Sequence, residues 1–291
     1  MEEWMRIPKF EYFRPLSIEE GCSLLYKHKT EAKILAGGTD LFVKMKKKQI
    51  LPGVVISLNG IQKLDRIEWD DREGLKIGPL VTHEALVNHP IVRKKFDFLS
   101  EACFKIGTRQ VRNMGTLVGN LCNASPSSDA SAPLLVLETK LKLVHLYGEK
   151  TIPLQEFFIG PFLTALDPQE VVVEVQIPKP APYAAGSYQY LHKASSVGET
   201  LVGAAVFLTM DPRNSTCQEA RISLSSVAPT PIRAKAAERT LKGKRLEEKL
   251  IREAAQVASD ETQPRSRSLY RREMTKVLVE RAILQAMEKI K

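Results

Sequence analysis

Two glycine-containing loops constrain this chain more than any other feature of its sequence. The first reads Ala36-Gly37-Gly38-Thr39-Asp40, and the second reads Gly115-Thr116-Leu117-Val118-Gly119-Asn120. Each loop follows apolar residues and precedes a segment with helical character. A backbone without Cβ atoms can approach phosphate oxygens and turn several N–H donors toward them. A helix start behind the loop adds its own unpaired donors. The pair of loops therefore predicts a site for a pyrophosphate.

The two loops differ in how strongly each indicates a ligand. Taken alone, the first also fits a tight strand-to-helix turn, and it lacks the third glycine and the later acidic residue of the Rossmann fingerprint. The second continues through several hydrogen-bonding side chains, namely Thr116, Asn120, Asn123, Ser125, Ser128 and Asp129. A purely structural loop rarely needs so many polar groups between apolar flanks. Together the loops favour a dinucleotide site.

Composition limits the class of protein. The chain has 291 residues, 43% of them hydrophobic, which suggests about two domains with packed cores. No apolar run approaches the roughly 20 residues that span a bilayer. The start of the chain, Met1 to Arg6, lacks a basic stretch followed by an apolar one. We therefore expect no signal peptide, no membrane span and a cytoplasmic protein.

Charge and cysteine usage narrow the chemistry further. The net charge of +9 fits an ordinary basic surface better than an acidic partner or a nucleotide, and the basic runs at 44–48 and 265–272 lack the aromatic residues that bind nucleic acid. The cysteines are Cys22, Cys103, Cys122 and Cys217, with no close pair among them. They predict buried or half-buried thiols rather than a metal site or an iron–sulfur cluster.

The first half of the chain predicts two subdomains, at about 1–60 and 61–178. The first is a small α/β unit, with a capping box at Ser17 that opens a helix, a buried strand at 32–35, the first loop, a helix from Asp40 and a strand at 54–58. The second is a larger α+β unit. It ends on a β-branched strand at 170–177, and its buried helix at 130–137 is expected to be capped by Ser128 or Asp129.

The prolines of residues 178–182 predict a linker, because they resist both helix and strand. Beyond it, strand patterns at 187–193, 201–210 and 217–226 precede three helices at 234–241, 246–258 and 269–290. Strands followed by helices favour an α+β domain with a three-stranded antiparallel sheet. The predicted fold class is therefore α+β, with domains at 1–178 and 179–291.

Several motifs in order resemble one known family. The two glycine loops, the Thr164-Ala165-Leu166 segment before the strand at 170–177, Ala228-Pro229-Thr230-Pro231, and Tyr270-Arg271-Arg272 are similar to the FAD-binding medium subunits of the molybdenum hydroxylases, which include xanthine dehydrogenase and carbon monoxide dehydrogenase. The resemblance covers nearly the whole chain. It implies that residues 1–178 form the FAD-binding domain and that residues 179–291 form the C-terminal domain of such a subunit.

The resemblance also implies roles by position. The first loop would line the FAD pyrophosphate, the second would contact phosphate and ribityl oxygens, Asp129 would lie near the adenosine ribose, and Val172 would touch the isoalloxazine. The implied cofactor-binding residues are Leu35, Ala36, Gly37, Gly38, Thr39, Asp40, Leu41, Thr116, Gly119, Asn120, Cys122, Asn123, Ser125, Asp129, Val172, His192 and Lys193. No residue is expected to act as a catalytic acid, base or nucleophile.

The sequence departs from the family pattern at three places. Val118 replaces the first of two glycines before the asparagine, and its side chain could narrow the loop or push it outward. A family lysine and arginine fall near His192 and Ser196, with Lys193 adjacent, so either His192 or Lys193 could face the flavin. An acidic residue near the flavin edge would correspond to Glu199.

By resemblance, the chain would take electrons from the [2Fe-2S] clusters of a small partner subunit and pass them to NAD or another acceptor. A large partner subunit would carry molybdopterin, and the assembly would be a dimer of heterotrimers. Two alternatives remain open. One is a self-contained FAD-dependent oxidase or reductase on the same scaffold. The other is a non-enzymatic assembly subunit that has lost flavin, and Val118 is the only residue that indicates it.

Overall fold

Three short parallel strands organise the N-terminal subdomain. The computed structural model describes residues 7–193 and 199–290. The elements of this part are β1 (Glu11–Phe13), α1 (Ile18–His28), β2 (Ala32–Leu35), α2 (Leu41–Lys46) and β3 (Val54–Ser57). The strands pair in the order β1-β3-β2. Because β2 ends at Leu35, the first glycine loop lies at the carboxyl edge of the sheet, where parallel sheets commonly hold their ligands.

The predicted capping box at Ser17 is present. The Ser17 hydroxyl accepts from the backbone N–H of Glu20 at 3.2 Å, and the Glu20 carboxylate accepts from the N–H of Leu16 at 2.8 Å. The glutamate thus reaches one residue further back than the standard motif does. These contacts fix the start of α1, whose buried side chains Cys22 and Leu25 pack under the sheet.

The second subdomain combines a five-stranded antiparallel sheet with short helices. The strand order is β4-β5-β10-β6-β7, beside a two-stranded β8-β9 sheet. Its elements are β4 (Ile67–Asp70), β5 (Gly74–Ile77), α3 (His83–Asn88), α4 (Pro90–Lys95), α5 (Asp97–Phe104), α6 (Arg109–Met114), α7 (Leu117–Asn123), α8 (Ser131–Val136), β6 (Lys140–His145), β7 (Gly148–Pro153), α9 (Leu154–Phe157), β8 (Phe158–Gly160), β9 (Leu163–Thr164) and β10 (Val171–Ile177).

The predicted cap of α8 is wrong. Helix α8 begins after Ala130, and no side chain caps it among residues 7–193 and 199–290. The Ser128 hydroxyl instead accepts from Ser131 Oγ at 2.7 Å and donates to Asn120 at 2.6 Å. Asp129 accepts hydrogen bonds from the C-terminal strands. Tertiary contacts thus take both side chains that local capping would have used.

The C-terminal part is a four-stranded antiparallel sheet followed by helices. Its elements are β11 (Ala184–His192), β12 (Thr200–Asp211), β13 (Thr216–Ser225), β14 (Ile232–Arg233), α10 (Lys235–Leu241), α11 (Glu248–Asp260) and α12 (Ser268–Ile290). The three predicted strands are present, and the two-residue β14 extends their sheet at one edge. The α+β class is confirmed. Residues 178–181 of the expected linker form neither helix nor strand.

Strand β12 is buried along nearly its whole length because both of its faces are covered. Ala205 and Phe207 belong to the core of the second subdomain, whereas Ala204, Val206 and Leu208 pack against α10–α12. Alternate residues of a strand point to opposite faces, so an apolar run of this kind requires two packed layers. The C-terminal sheet is therefore pressed against the second subdomain. Within the described ranges, no helix combines the length and apolar character needed to cross a bilayer.

Candidate functional site

A cavity of about 800 Å³ lies where the two glycine loops meet. Its walls come from the first loop, the segment after α5, α7 with the residues that follow it, the residues before β10, and the start of β12. Both predicted loops thus face one space. The volume falls in the range of pockets that hold small ligands and cofactors, roughly 300–1,000 Å³.

The loops touch each other through bare backbone. A Cβ placed on Gly37 would overlap the carbonyl oxygen of Met114 and stand 2.7 Å from its carbonyl carbon and 3.0 Å from Gly115 Cα. A Cβ on Gly115 would lie 3.2 Å from Thr39 Oγ1. A side chain at Gly37 would force the loops apart, since real Cβ atoms do not come so close to backbone. Gly37 is therefore required for the contact itself.

The first loop turns through Gly38, whose φ of +73° lies in the left-handed region. This conformation is costly for residues with a Cβ. A Cβ there would also stand 2.8 Å from the ring of Phe42. The carbonyl of Gly38 accepts from the N–H of Phe42 at 3.1 Å, which starts α2. The loop thus leads directly from β2 into the helix.

The second loop is anchored to the segment before α3. Thr82 and Thr116 form an isolated antiparallel bridge. The N–H of His83 donates to Gly115 O, and the N–H of Leu117 donates to Val81 O, both at 3.0 Å. These bonds fix the backbone of residues 115–117 just before α7. The conformation of the second loop therefore depends on pairing with a distant segment.

Thr116 caps α7. Its hydroxyl accepts from the N–H of Gly119 at 3.0 Å, so this N–H is already used within the helix. A Cβ on Gly119 would lie only 2.9 Å from that hydroxyl. The glycine therefore contributes close packing rather than a free donor. Val118, the departure from the family pattern, is 6% exposed and packs into the core, so it does not push the loop outward.

Asn120 and Asn123 present amides to the cavity in two different settings. The Asn120 side-chain oxygen accepts from Ser128 Oγ at 2.6 Å, which fixes the orientation of the amide. The Asn123 oxygen accepts from Lys44 Nζ at 2.5 Å. Lys44 also lies 5.2 Å from the ring centroid of Phe162. This lysine lines the cavity and brings a positive charge to it.

His83 is a cavity residue that sequence reasoning missed. It is 2% exposed, and its Nδ1 is buried without a hydrogen-bond partner among the described residues. Burial, with a smaller effect from the charge of Arg112, lowers the pKa of His83 to about 4. The imidazole is therefore neutral at physiological pH, with one donor and one acceptor nitrogen.

Asp129 is a buried carboxylate of the cavity. It is 8% exposed, and its Oδ1 accepts from Tyr188 Oη and Thr200 Oγ1, each at 2.6 Å. Burial raises the pKa of Asp129, while the two hydroxyls lower it. The carboxylate is therefore held in place by two strands of the C-terminal sheet.

Most of the predicted residues line this cavity. They are Ala36, Gly37, Gly38, Thr39, Asp40, Leu41, Thr116, Gly119, Asn120, Cys122, Asn123, Ser125, Asp129 and Val172. Cys122 is half-buried, the other three cysteines are buried, and burial raises the pKa of the Cys122 thiol to about 12. The expected buried or half-buried thiols are thus confirmed, and the Cys122 thiol is neutral.

Three predicted residues do not line the cavity. Leu35 packs against Met45 and Val55. The ring of His192 packs against that of Tyr190, with the centroids 4.7 Å apart and the planes tilted by 46°. Lys193 forms an ion pair with Glu199 at 2.9 Å, and only Glu199 of that pair is a cavity residue. Ser196, the remaining position of the predicted motif, lies outside the described residues.

Comparisons with known proteins agree with this geometry. Residues 8–180 match the family described as the FAD binding domain in molybdopterin dehydrogenase, and residues 188–286 match the CO dehydrogenase flavoprotein C-terminal domain. The carbon monoxide dehydrogenase medium chain of Hydrogenophaga pseudoflava is 32% identical over 280 residues, covering 95% of this chain and 96% of the relative. Caffeine dehydrogenase subunit beta from a Pseudomonas species is 30% identical, covering 98% and 97%.

Solved structures show the same likeness. A chain of the Hydrogenophaga pseudoflava carbon monoxide dehydrogenase superposes with a TM-score of 0.92 at 33% identity, covering 98% of this chain and 99% of that one. A chain of quinoline 2-oxidoreductase from Pseudomonas putida gives 0.91 at 28% identity, with coverage of 98% and 99%. Fold, loops and sequence therefore agree, and the chain belongs to the FAD-binding medium subunits of the molybdenum hydroxylase family, the flavoprotein components of these oxidoreductases.

Proposed function

We propose that this chain binds FAD in the cavity between the two glycine loops. We further propose that it transfers electrons from the [2Fe-2S] clusters of a partner subunit to NAD or another acceptor. The observation that carries the proposal is the meeting of the loops at Gly37 and Met114. Because no side chain separates them, a diphosphate can be bound by both loops at once.

The residues present fit the cofactor. The walls combine bare backbone, hydroxyls, two amides and the neutral imidazole of His83, whose buried Nδ1 has no hydrogen-bond partner in the described part of the chain. This combination suits the mixed polarity of a flavin dinucleotide. Lys44 adds a positive charge from α2, the helix that follows the first loop. Apolar side chains such as Val172 supply a surface for the flavin ring system. A ligand pocket of this kind is mostly apolar, with a few fixed polar groups.

Each wall has its own part in the proposal. The backbone of residues 36–41 approaches the pyrophosphate. Thr116 caps the start of α7. Asn120 offers an amide whose orientation Ser128 fixes. Asp129 accepts from a donor of the cofactor. When bound, FAD would supply two-electron exchange that can be divided into single-electron steps. Acid–base chemistry on the organic substrate is assigned to no residue of this chain.

The proposed partners are a small [2Fe-2S] subunit and a large molybdopterin subunit, in a cytoplasmic dimer of heterotrimers. Support comes from the relatives, which are named as medium chains or subunits of larger enzymes.

Reconstitution tests the proposal. The purified full chain is mixed with FAD, freed of unbound cofactor, and its flavin absorbance is compared with its protein content. We expect one FAD per chain. NADH is then added anaerobically, and bleaching of the flavin band identifies NAD as a competent acceptor, since the transfer must be reversible. Absence of bound flavin would contradict the proposal. Turnover of a small organic compound by the chain alone would favour the self-contained oxidase or reductase.

A further inference from the structure

Asp129 receives two hydrogen bonds from a distant part of the chain. Tyr188 Oη and Thr200 Oγ1 both donate to its Oδ1 at 2.6 Å, and both are buried, at 3% exposure each. The second oxygen, Oδ2, accepts no hydrogen bond from any residue that the structure describes. Because Asp129 lines the cavity, one oxygen is held by the protein and the other is available to a ligand.

The C-terminal sheet places the hydroxyls of Tyr188 and Thr200 beside the same carboxylate oxygen. Tyr188 stands on β11 and Thr200 begins β12, and the register of this pair shifts between Leu191 and His192. A Cβ on Gly203 would stand 2.7 Å from Tyr188 Oη and would overlap Ser225 Oγ. The absence of a side chain at Gly203 therefore makes room for the tyrosine hydroxyl. The space is built for this contact.

The charge of Asp129 depends on these donors. Burial is the largest influence and raises its pKa, and the hydroxyls of Thr200 and Tyr188 are the largest influences that lower it. The charges of His192 on β11 and of Lys105, just after α5, lower its pKa further, and the thiol of Cys103 lies in its field. Without the two hydroxyls, burial would favour the protonated acid, which is a weaker acceptor.

We propose that Tyr188 and Thr200 are positioning residues, which hold Asp129 as an oriented acceptor for a hydrogen-bond donor of FAD. The C-terminal sheet would then set the affinity of a site whose glycine loops both lie in the N-terminal half. This inference rests on the proposed binding of FAD in the cavity. It adds that two residues of the C-terminal sheet, outside the two glycine loops, act on the cofactor through one carboxylate.

The test measures FAD dissociation constants for the full chain by fluorescence quenching or calorimetry. The variants are Tyr188→Phe, Thr200→Val, Asp129→Asn and the combination of each of the first two with Asp129→Asn. Tyr190→Phe is the matched control, because its hydroxyl on the same strand makes no hydrogen bond among the described residues. We expect Tyr188→Phe and Thr200→Val each to weaken FAD binding about tenfold, the size of a lost hydrogen bond to a charged group.

Two readouts separate positioning from general damage. In the Asp129→Asn background, removing either hydroxyl should change affinity little, since the carboxylate it acts on is gone. In the single variants, affinity should also fall more than in the wild type on acidification, because the loss of either donor raises the pKa of Asp129. Tyr190→Phe should match the wild type at every pH.

The outcomes distinguish this inference from the function on which it rests. If the wild-type chain does not bind FAD, the proposed function fails. If it binds FAD but Tyr188→Phe and Thr200→Val bind equally well at every pH, the positioning role is contradicted while the site stands. Equal losses in the wild-type and Asp129→Asn backgrounds would also contradict it, because the hydroxyls would then act independently of Asp129.

Discussion

Gly37 lies directly against the main-chain carbonyl of Met114, so closely that a Cβ on the glycine would overlap the oxygen. Gly37 belongs to the first loop and Met114 ends α6 directly before the second loop, so only the fold brings the two residues together. The contact sets the distance between the loops and leaves the cavity lined with backbone on both sides. Any ligand that spans the loops depends on it.

Replacing Gly37 by alanine should therefore abolish FAD binding and lower stability. The new methyl group cannot fit without moving the backbone of Met114, and overpacking of this kind typically costs about 1–3 kcal/mol. Flavin content after reconstitution and the midpoint of thermal unfolding measure the two effects. Gly53→Ala is the control, because its Cβ would meet only Glu31 Oε2 at 3.9 Å. A yellow Gly37→Ala protein with wild-type stability would contradict the loop contact.

A second prediction compares two helix caps. Thr116→Ala removes the hydroxyl that accepts from Gly119, and Ser17→Ala removes the one that accepts from Glu20. Each change should cost about 1 kcal/mol of stability. Only Thr116→Ala should also weaken FAD binding, since Thr116 lines the cavity and Ser17 does not. Denaturant unfolding and FAD titration separate the effects, and equal FAD affinities in the two variants would count against a role for α7.

Lys44 should contribute charge to the site. Lys44→Met is expected to weaken FAD binding about fivefold at low salt, in line with a partly exposed ion pair. The difference should shrink as ionic strength rises. Lys47→Met, on the exposed side of the same basic run, should leave affinity unchanged at every salt concentration. The dissociation constants of the two variants across a salt series check this, and indistinguishable series would rule out a contribution of the Lys44 charge to FAD binding.

His83 should make the fold sensitive to acid. Its pKa falls from 6.5 to about 4 on folding, so the unfolded chain binds the proton more readily than the native protein does. The stability from a neutral His83 is complete above the unfolded pKa and is lost as the pH falls from about 6.5 toward 4, by on the order of 3 kcal/mol.

Chemical denaturation of the wild type and of His83→Gln across this pH range measures that contribution. The variant should lose less stability on acidification, because glutamine does not titrate. His145→Gln is a suitable comparison, since this histidine lies on a hairpin strand outside the cavity. Parallel pH profiles for the wild type and His83→Gln would show that the buried imidazole does not titrate as described.

Local patterns predicted the features that local physics determines. The strand at 32–35, the glycine turn after it and the serine cap of α1 follow from neighbouring residues. Leu35 illustrates the limit, because the cavity was expected to include it. It packs with Met45 and Val55, whereas the preceding Ile34 lines the cavity. In a strand, successive side chains face opposite sides, so proximity to a loop does not determine which residue reaches the ligand.

Long-range pairing determined what the sequence could not show. His83 enters the wall because a bridge joins Thr82 to Thr116, and nothing in its own neighbourhood indicates that contact. Asp129 was expected as a helix cap or a ligand of the cofactor, but its partners Tyr188 and Thr200 come from the C-terminal sheet. Lys44 could not be distinguished from the other lysines of its basic run, although it lies one helical turn beyond Asp40.

A structure of the full chain with FAD tests the central claim most directly. The account predicts that the pyrophosphate lies between residues 36–41 and 116–120, within reach of both loops. A bound FAD whose pyrophosphate contacts only one loop, or lies elsewhere on the surface, would contradict it.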